Sequence, residues 1–267
     1  MTLEPTVSGK GAGKSAAIGG RWAAQSSSEL AARAQRVLMR IGNNFDGPVI
    51  ARSQGARLWD ADGKEYLDFG SGQLCATVGH NHPHVVAALQ RAGASVIHLD
   101  TKLVSEDVIL LAERLVAMVP SSLNRVTFVN TGSESTELAI KAAKRFTKGF
   151  EVVGIARSFH GLTGQAAAST YSYRRSGYGP QPPGHFAIPA PYCYRCPLGQ
   201  TYPTCQFACI KTGFDLYDAQ SVGAPAAFIA EPILSSGGII EPPAGYFAEL
   251  KRQCLERGLL LILDEAQ

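Results

Sequence analysis

With 267 residues, 45% hydrophobic and 18% charged, the chain has ordinary globular composition and length for one large domain or somewhat more. Its net charge of +3 comes without a basic cluster interleaved with aromatics, so nucleic-acid binding is not inferred. No apolar run approaches the roughly 20 residues of a spanning helix, the N-terminus lacks a secretory core, and six cysteines do not make a disulfide scaffold; a cytoplasmic protein with reduced thiols is expected.

Residues 1–28 are rich in Gly, Ala and Ser without periodicity and read as a disordered tail. Within it Gly13-Lys14-Ser15 imitates the end of a phosphate-binding loop. Ser8 stands where that pattern needs Gly, and no apolar strand precedes it, so the reading is rejected. Glu29–Arg40 is a short amphipathic helix by its spacing. Residues 56–67, ARLWDADGKEYL, form two alternating runs around Asp62-Gly63, a strong hairpin signal. The hairpin organises an N-terminal segment, 29–80, and residues 81–267 are assigned to a larger domain.

His80, His82 and His84 alternate as strand ligands would. Pro83 interrupts them and no carboxylate or Cys completes a known metal pattern, so a turn followed by a helix from about His84 is expected. Val104–Pro120 reads as a helix capped by Ser105, with Glu106 and Asp107 in its positive first turn and Val108, Leu111 and Leu115 as its buried stripe.

Arg125–Val129 reads as a strand. Thr131-Gly132-Ser133 then opens a helix to about Phe146, and a Gly-Ser pair at a helix start offers unpaired N–H groups to an anion. An ordinary Ser cap is the competing reading of that motif alone. Glu151–Ala156 is a further strand, followed by Ser158-Phe159-His160-Gly161. Between Pro180 and Ile210, Cys193, Cys196, Cys205 and Cys209 are spaced CxxC-x8-CxxxC, which leaves a structural zinc or a redox clip open.

Ala226–Ala230 is an apolar strand stopped by Pro232. Tyr246–Arg257 is helical and ends on Gly258, and Leu259–Leu263 reads as a strand covered on both faces. Asp264 follows directly, at the carboxyl end of a parallel strand, where open α/β sheets place ligand-binding groups. A carboxylate there needs a cationic partner, and a protonated pyridine nitrogen is one. The alternation of strands and helices specifies an α/β fold with a mostly parallel sheet and helices on both faces. No GxGxxG joins a strand to its helix, which argues against a dinucleotide oxidoreductase.

Glu231-Pro232, Leu259–Leu263 and Asp264-Glu265-Ala266-Gln267, with the Thr131-Gly132-Ser133 segment, resemble the class III aminotransferases of fold type I. The resemblance covers about Arg36 to Gln267 and implies the large domain of a pyridoxal 5′-phosphate (PLP) enzyme plus the N-terminal part of a small domain. It implies that Asp264 holds the ring nitrogen protonated, that Gln267 contacts the ring hydroxyl oxygen, and that Phe159 stacks on the ring. Gly132 and Ser133, beside Thr131, would take the phosphate; His160 orients its loop; Glu231 and Ser236 lie near the cofactor. Amino acid and 2-oxo acid substrates and a homodimer or tetramer follow from the same resemblance.

Ser71-Gly72-Gln73 is similar to 2,2-dialkylglycine decarboxylases, where such a glutamine holds the substrate carboxylate. Leu99 and Thr101 align with ligands of an alkali cation there. The specific expectation is decarboxylation of a 2,2-disubstituted glycine coupled to amino transfer to pyruvate; the alternative is an ω-amino acid or 4-aminobutyrate aminotransferase. In the family the lysine that links the cofactor lies beyond the position of Gln267. Residues 1–267 alone are therefore expected to be inactive, and a non-catalytic or zinc-bearing module is the reading from another class.

Overall fold

The computed structural model describes residues 25–39, 47–172, 175, 177 and 179–267, in two compact units divided between Lys102 and Leu103. Gly13-Lys14-Ser15 and most of the expected tail lie outside the described residues.

In the first unit α1 (Ser27–Val37) starts inside the stretch assigned to the tail. Its start is set by a reciprocal capping box: the Glu29 N–H donates to Ser26 Oγ (3.3 Å) and the Ser26 N–H to Glu29 Oε2 (3.0 Å). The expected hairpin is β2 (Arg57–Asp60) and β3 (Glu65–Leu67), and β1 (Ile50–Gln54) adds a third antiparallel strand. Asp60 holds the turn, accepting from the N–H groups of Asp62 (3.0 Å) and Lys64 (2.9 Å) and from the Tyr66 hydroxyl (2.8 Å). The histidines serve local structure. His80 Nε2 lies 2.6 Å from Asp68 Oδ2, and His82 caps α2 (Pro83–Gly93).

The second unit contains α3 (Glu106–Met118), α4 (Gly132–Thr147), β4 (Glu151–Ile155), α5 (Gly164–Ala168), β5 (His185–Ile188), α6 (Ala208–Gln220), β6 (Pro225–Ala230), α7 (Tyr246–Glu256) and β7 (Leu260–Leu263). Its sheet is parallel throughout, in the order β5-β4-β6-β7. Strand alternation explains the two layers of core. Val153 and Phe228 pack with Phe214 of α6 and Leu250 of α7, whereas Val152 and Ile229 turn to the other face and meet Ile140 of α4. Helices therefore cover both faces, as the α/β reading requires.

Buried Glu151 fixes the entry to β4. Its carboxylate accepts from the Tyr217 and Ser221 hydroxyls and the Val222 N–H, each at 2.7 Å, so its charge is met by three donors.

Three expectations are corrected. Residues 125–129 are not a strand: among the described residues no neighbour offers them a ladder, and Phe128 and Val129 are exposed. On α3 the stripe Val108, Leu111 and Leu115 is exposed rather than buried, and Ser105 makes no side-chain cap bond. β7 is not covered on both faces; it has one neighbour, and Leu260 and Leu263 are exposed. The elements that were not anticipated include β1 in the first unit and α5, β5 and α6 in the second. β5 is only four residues long, too short for a periodicity signal, whereas α6 carries a legible one in buried Ile210, Phe214 and Tyr217.

Candidate active site

The strand order places a crevice. From β4 the chain passes to β5 on one side and returns to β6 on the other, so the loops after β4 and β6 diverge and leave space at the carboxyl ends of the strands. Three strands deliver polar groups to that end: His160 after β4, Glu231 after β6 and Asp264 after β7.

The Asp264 N–H continues the ladder by donating to the Ala230 carbonyl (2.8 Å), which fixes where the side chain leaves the sheet. Its carboxylate is 14% exposed and lies 2.8 Å from Nδ1 of His160, whose side chain is fully buried. A carboxylate can only accept there, so the hydrogen bond assigns the imidazole proton to Nδ1. Nε2 of His160 meets no partner among the described residues. The His160 ring is therefore spent on aiming Asp264.

Glu231, 7% exposed, staples two loops. It accepts from the Phe159 N–H (2.8 Å) and from the Ser235 N–H (3.1 Å). Burial pushes its carboxyl above the ordinary range and the negative charge of Asp264 adds to this, while those two donors and His160 oppose it. Ser235 was not picked out from the sequence; its hydroxyl also donates to Gln267 Oε1. Ser236, which was picked out, is an exposed residue of the same loop.

The first turn of α4 supplies the opposite electrostatic pole. Thr131 is the N-cap: its hydroxyl accepts from the Glu134 N–H (3.1 Å) and its own N–H donates to Glu134 Oε2 (3.1 Å), a capping box that anchors its side chain at the helix start. The N–H groups of Gly132 and Ser133 meet no acceptor among the described residues and stand at the positive end of a 16-residue helix. The Ser133 hydroxyl accepts from the Leu162 N–H (3.0 Å), which locks the turn to the loop after β4. Gly161 makes this approach possible: at φ +124°, a Cβ there would stand 2.0 Å from Ser133 Oγ.

Thr131, Gly132, Ser135, Thr136, Ile262 and Asp264 line one cleft of ≈ 440 Å³, within the range of small-ligand sites. Free N–H donors, an apolar wall and an aimed carboxylate fit a ligand with a phosphate and a cationic ring nitrogen. Phe159 is half-buried beside His160. Gln73, Leu99 and Thr101 belong to the first unit; Gln73 sits on an exposed turn at φ 55°.

The aminotransferase class-III family profile matches residues 41–267. The chain belongs to the class-III aminotransferases. An aminotransferase of Schizosaccharomyces pombe described as uncharacterized is 39% identical over 236 residues, 88% of this chain and 53% of its own length. Among solved structures, an (S)-enantioselective omega-transaminase from Thermomicrobium roseum superposes with a TM-score of 0.81 at 30% identity, over 90% of this chain and 57% of its own. A taurine:2-oxoglutarate aminotransferase from Bifidobacterium kashiwanohense, solved with PLP and glutamate, gives 0.79 at 28% identity, over 90% and 55%. This class-III chain spans about half the length of the relatives it matches.

Two metal readings left open by the sequence gain no support. Among the described residues no group of three or more His, Cys, Asp or Glu side chains is placed to hold a metal ion, so a zinc at Cys193, Cys196, Cys205 and Cys209 is not supported. An alkali cation at Leu99 and Thr101 is likewise not supported by the relatives. Among the described residues no helix is long and apolar enough to cross a membrane.

Proposed function

We propose that this chain forms the cofactor-binding part of a PLP-dependent aminotransferase that moves an amino group between an amino acid and a 2-oxo acid. The observation that carries the proposal is that Asp264, aimed by His160, lines the same cleft as Gly132, whose free N–H is followed by that of Ser133 in the first turn of α4. When bound, PLP supplies an electron sink for carbanion chemistry, provided its ring nitrogen stays protonated. Asp264 would keep that proton in place, Gly132 and Ser133 would hold the phosphate, Phe159 would pack against the ring, and Gln267, bonded to Ser235, would serve the ring hydroxyl. Glu231 holds the loops carrying Phe159 and Ser235 at a fixed separation.

For the substrate, the activities of the similar structures favour an ω-amino donor. The decarboxylating version rests on Gln73 and on the resemblance at Leu99 and Thr101, and CO₂ release from 2-aminoisobutyrate by the protein decides between them. A cytoplasmic homodimer or tetramer completes the reading. The direct test is titration with pyridoxamine 5′-phosphate, which needs no covalent link to the protein, followed by its fluorescence. Saturable binding lost in Asp264→Ala is expected; binding that is absent from the unaltered protein, or equal in the variant, defeats the assignment.

A further inference from the structure

Four thiols of the second unit lie outside this site. Cys193, Cys196, Cys205 and Cys209 line one cavity of ≈ 20 Å³ with Tyr192 and Phe207, room for about one water. They come from three pieces of local structure. Cys193 opens a 3₁₀ turn (Cys193–Arg195) that Cys196 closes; the Cys205 carbonyl accepts from the Ala208 N–H (3.0 Å) ahead of α6; Cys209 sits in the first turn of that helix. All four are free thiols. Cys193 is exposed and the other three are half-buried.

The arrangement favours pairwise chemistry. A tetrahedral metal would need at least three of these sulfurs converging on one point, which they do not do. The cavity nevertheless brings them within electrostatic reach of one another. Burial raises the Cys193 thiol first, and among its neighbours Cys205 adds more than Cys196. Burial likewise pushes Cys209 up to about 11, with Cys205 ahead of Cys193 among its thiol neighbours. Cys205 is thus the common neighbour, and Cys193 is the member open to an incoming reagent.

We propose that Cys193 and Cys205 form a reversible dithiol–disulfide pair, oxidised by exchange with a low-molecular-weight disulfide. In the first step the Cys193 thiolate attacks one sulfur of the reagent, forming a mixed disulfide and releasing one reagent thiolate. In the second, the Cys205 thiolate attacks the Cys193 sulfur, forming the internal bond and releasing the other. Two protein thiols are oxidised, one reagent disulfide is reduced to two thiols, and the two protons pass to solvent or to the leaving thiolates. Exposure of Cys193 and half-burial of Cys205 match the attacking and resolving roles. The product closes the loop between the 3₁₀ turn and the start of α6.

The experiment treats the full chain with oxidised glutathione under anaerobic, mildly alkaline conditions, which raise the thiolate fraction. Intact mass should fall by two hydrogens and recover on adding dithiothreitol. Peptide mapping with fragmentation should join Cys193 to Cys205. Cys193→Ser and Cys205→Ser should each abolish the link, whereas Cys196→Ser and Cys209→Ser should each leave it. A link mapped to another pair, stable glutathione adducts without an internal bond, or no change in mass overturns the proposal. Mapping the unaltered chain decides this even where a variant folds poorly.

Discussion

Gly161→Ala tests the contact that holds the two halves of the site together. The glycine sits at φ +124°, a region that costs an L-residue about 1–3 kcal/mol. Its new Cβ would stand 2.0 Å from Ser133 Oγ, 2.8 Å from Ser133 Cβ and 2.9 Å from Ser133 Cα. Rotating the hydroxyl relieves only the first contact and gives up the bond from the Leu162 N–H, about 1 kcal/mol. The other two can be relieved only by moving the first turn of α4 or the loop after β4. The summed destabilisation is about 3 kcal/mol or more, since overpacking adds about 1–3 kcal/mol. The displaced atoms are on the residue that follows Gly132 in the helix turn lining the cleft, so ligand affinity should fall with stability. Urea unfolding and pyridoxamine 5′-phosphate titration measure both. We expect a clearly lower midpoint and binding at least about tenfold weaker, the equivalent of about 1.4 kcal/mol. Gly164→Ala is the control: its Cβ would lie an ordinary 3.6 Å from Glu137 Oε1, in a helix, and stability should change little. A Gly161→Ala protein equal to wild type in both assays would show that Ser133 and the β4 loop do not meet in this way.

Other consequences are independent of that contact. His160→Phe removes the donor to Asp264 while keeping an aromatic volume, and pyridoxamine 5′-phosphate affinity should drop about tenfold or more, the scale of a hydrogen bond to a charged group. Glu151→Gln keeps the shape but sets an amide against three donors, and should cost about 1–3 kcal/mol in urea unfolding with ligand affinity per folded molecule unchanged. Burial, then the positive charges of Lys144 and Arg175, lower the His185 imidazole from 6.5 to about 4, against the pull of Glu137. The folded state therefore binds fewer protons than the unfolded one in that window. Stability should be complete above pH 6.5 and fall as pH drops towards 4, by up to about 3 kcal/mol at about 1.4 kcal/mol per pH unit. His185→Gln should flatten that acid limb in chemical unfolding measured across pH.

What could be read in the sequence is what local chemistry fixes. Asp62-Gly63 marked the hairpin, Gly258 at φ +71° ended α7, and the apolar runs before Glu231 and Asp264 became β6 and β7. The capping boxes of α1 and α4 were equally local, Ser26 with Glu29 and Thr131 with Glu134, but were not used. Pairings between distant positions could not be read. His160 meets Asp264 across 104 residues and Glu231 meets the Phe159 N–H across 72, and no periodicity encodes either. The failures at Arg125–Val129 and along α3 share another cause. An apolar pattern states what a segment can bury, and burial also requires a partner surface, which the described residues do not supply there.

The same distinction explains how the site divides its labour. At Thr131 and Ser133 the side-chain oxygens accept internally, one from the Glu134 N–H and the other from the Leu162 N–H, which anchors each hydroxyl and leaves its O–H proton as a donor beside the backbone N–H groups of Gly132 and Ser133. Backbone donors are fixed by helix geometry and cannot rotate away, whereas hydroxyls can. Asp264 is held just as firmly from the other side, by the sheet ladder through its N–H and by His160 through its carboxylate. Both poles of the cleft are therefore set before any ligand arrives, which lowers the ordering cost of binding. It also makes affinity sensitive to residues such as Gly161 and His160, which need not touch the ligand.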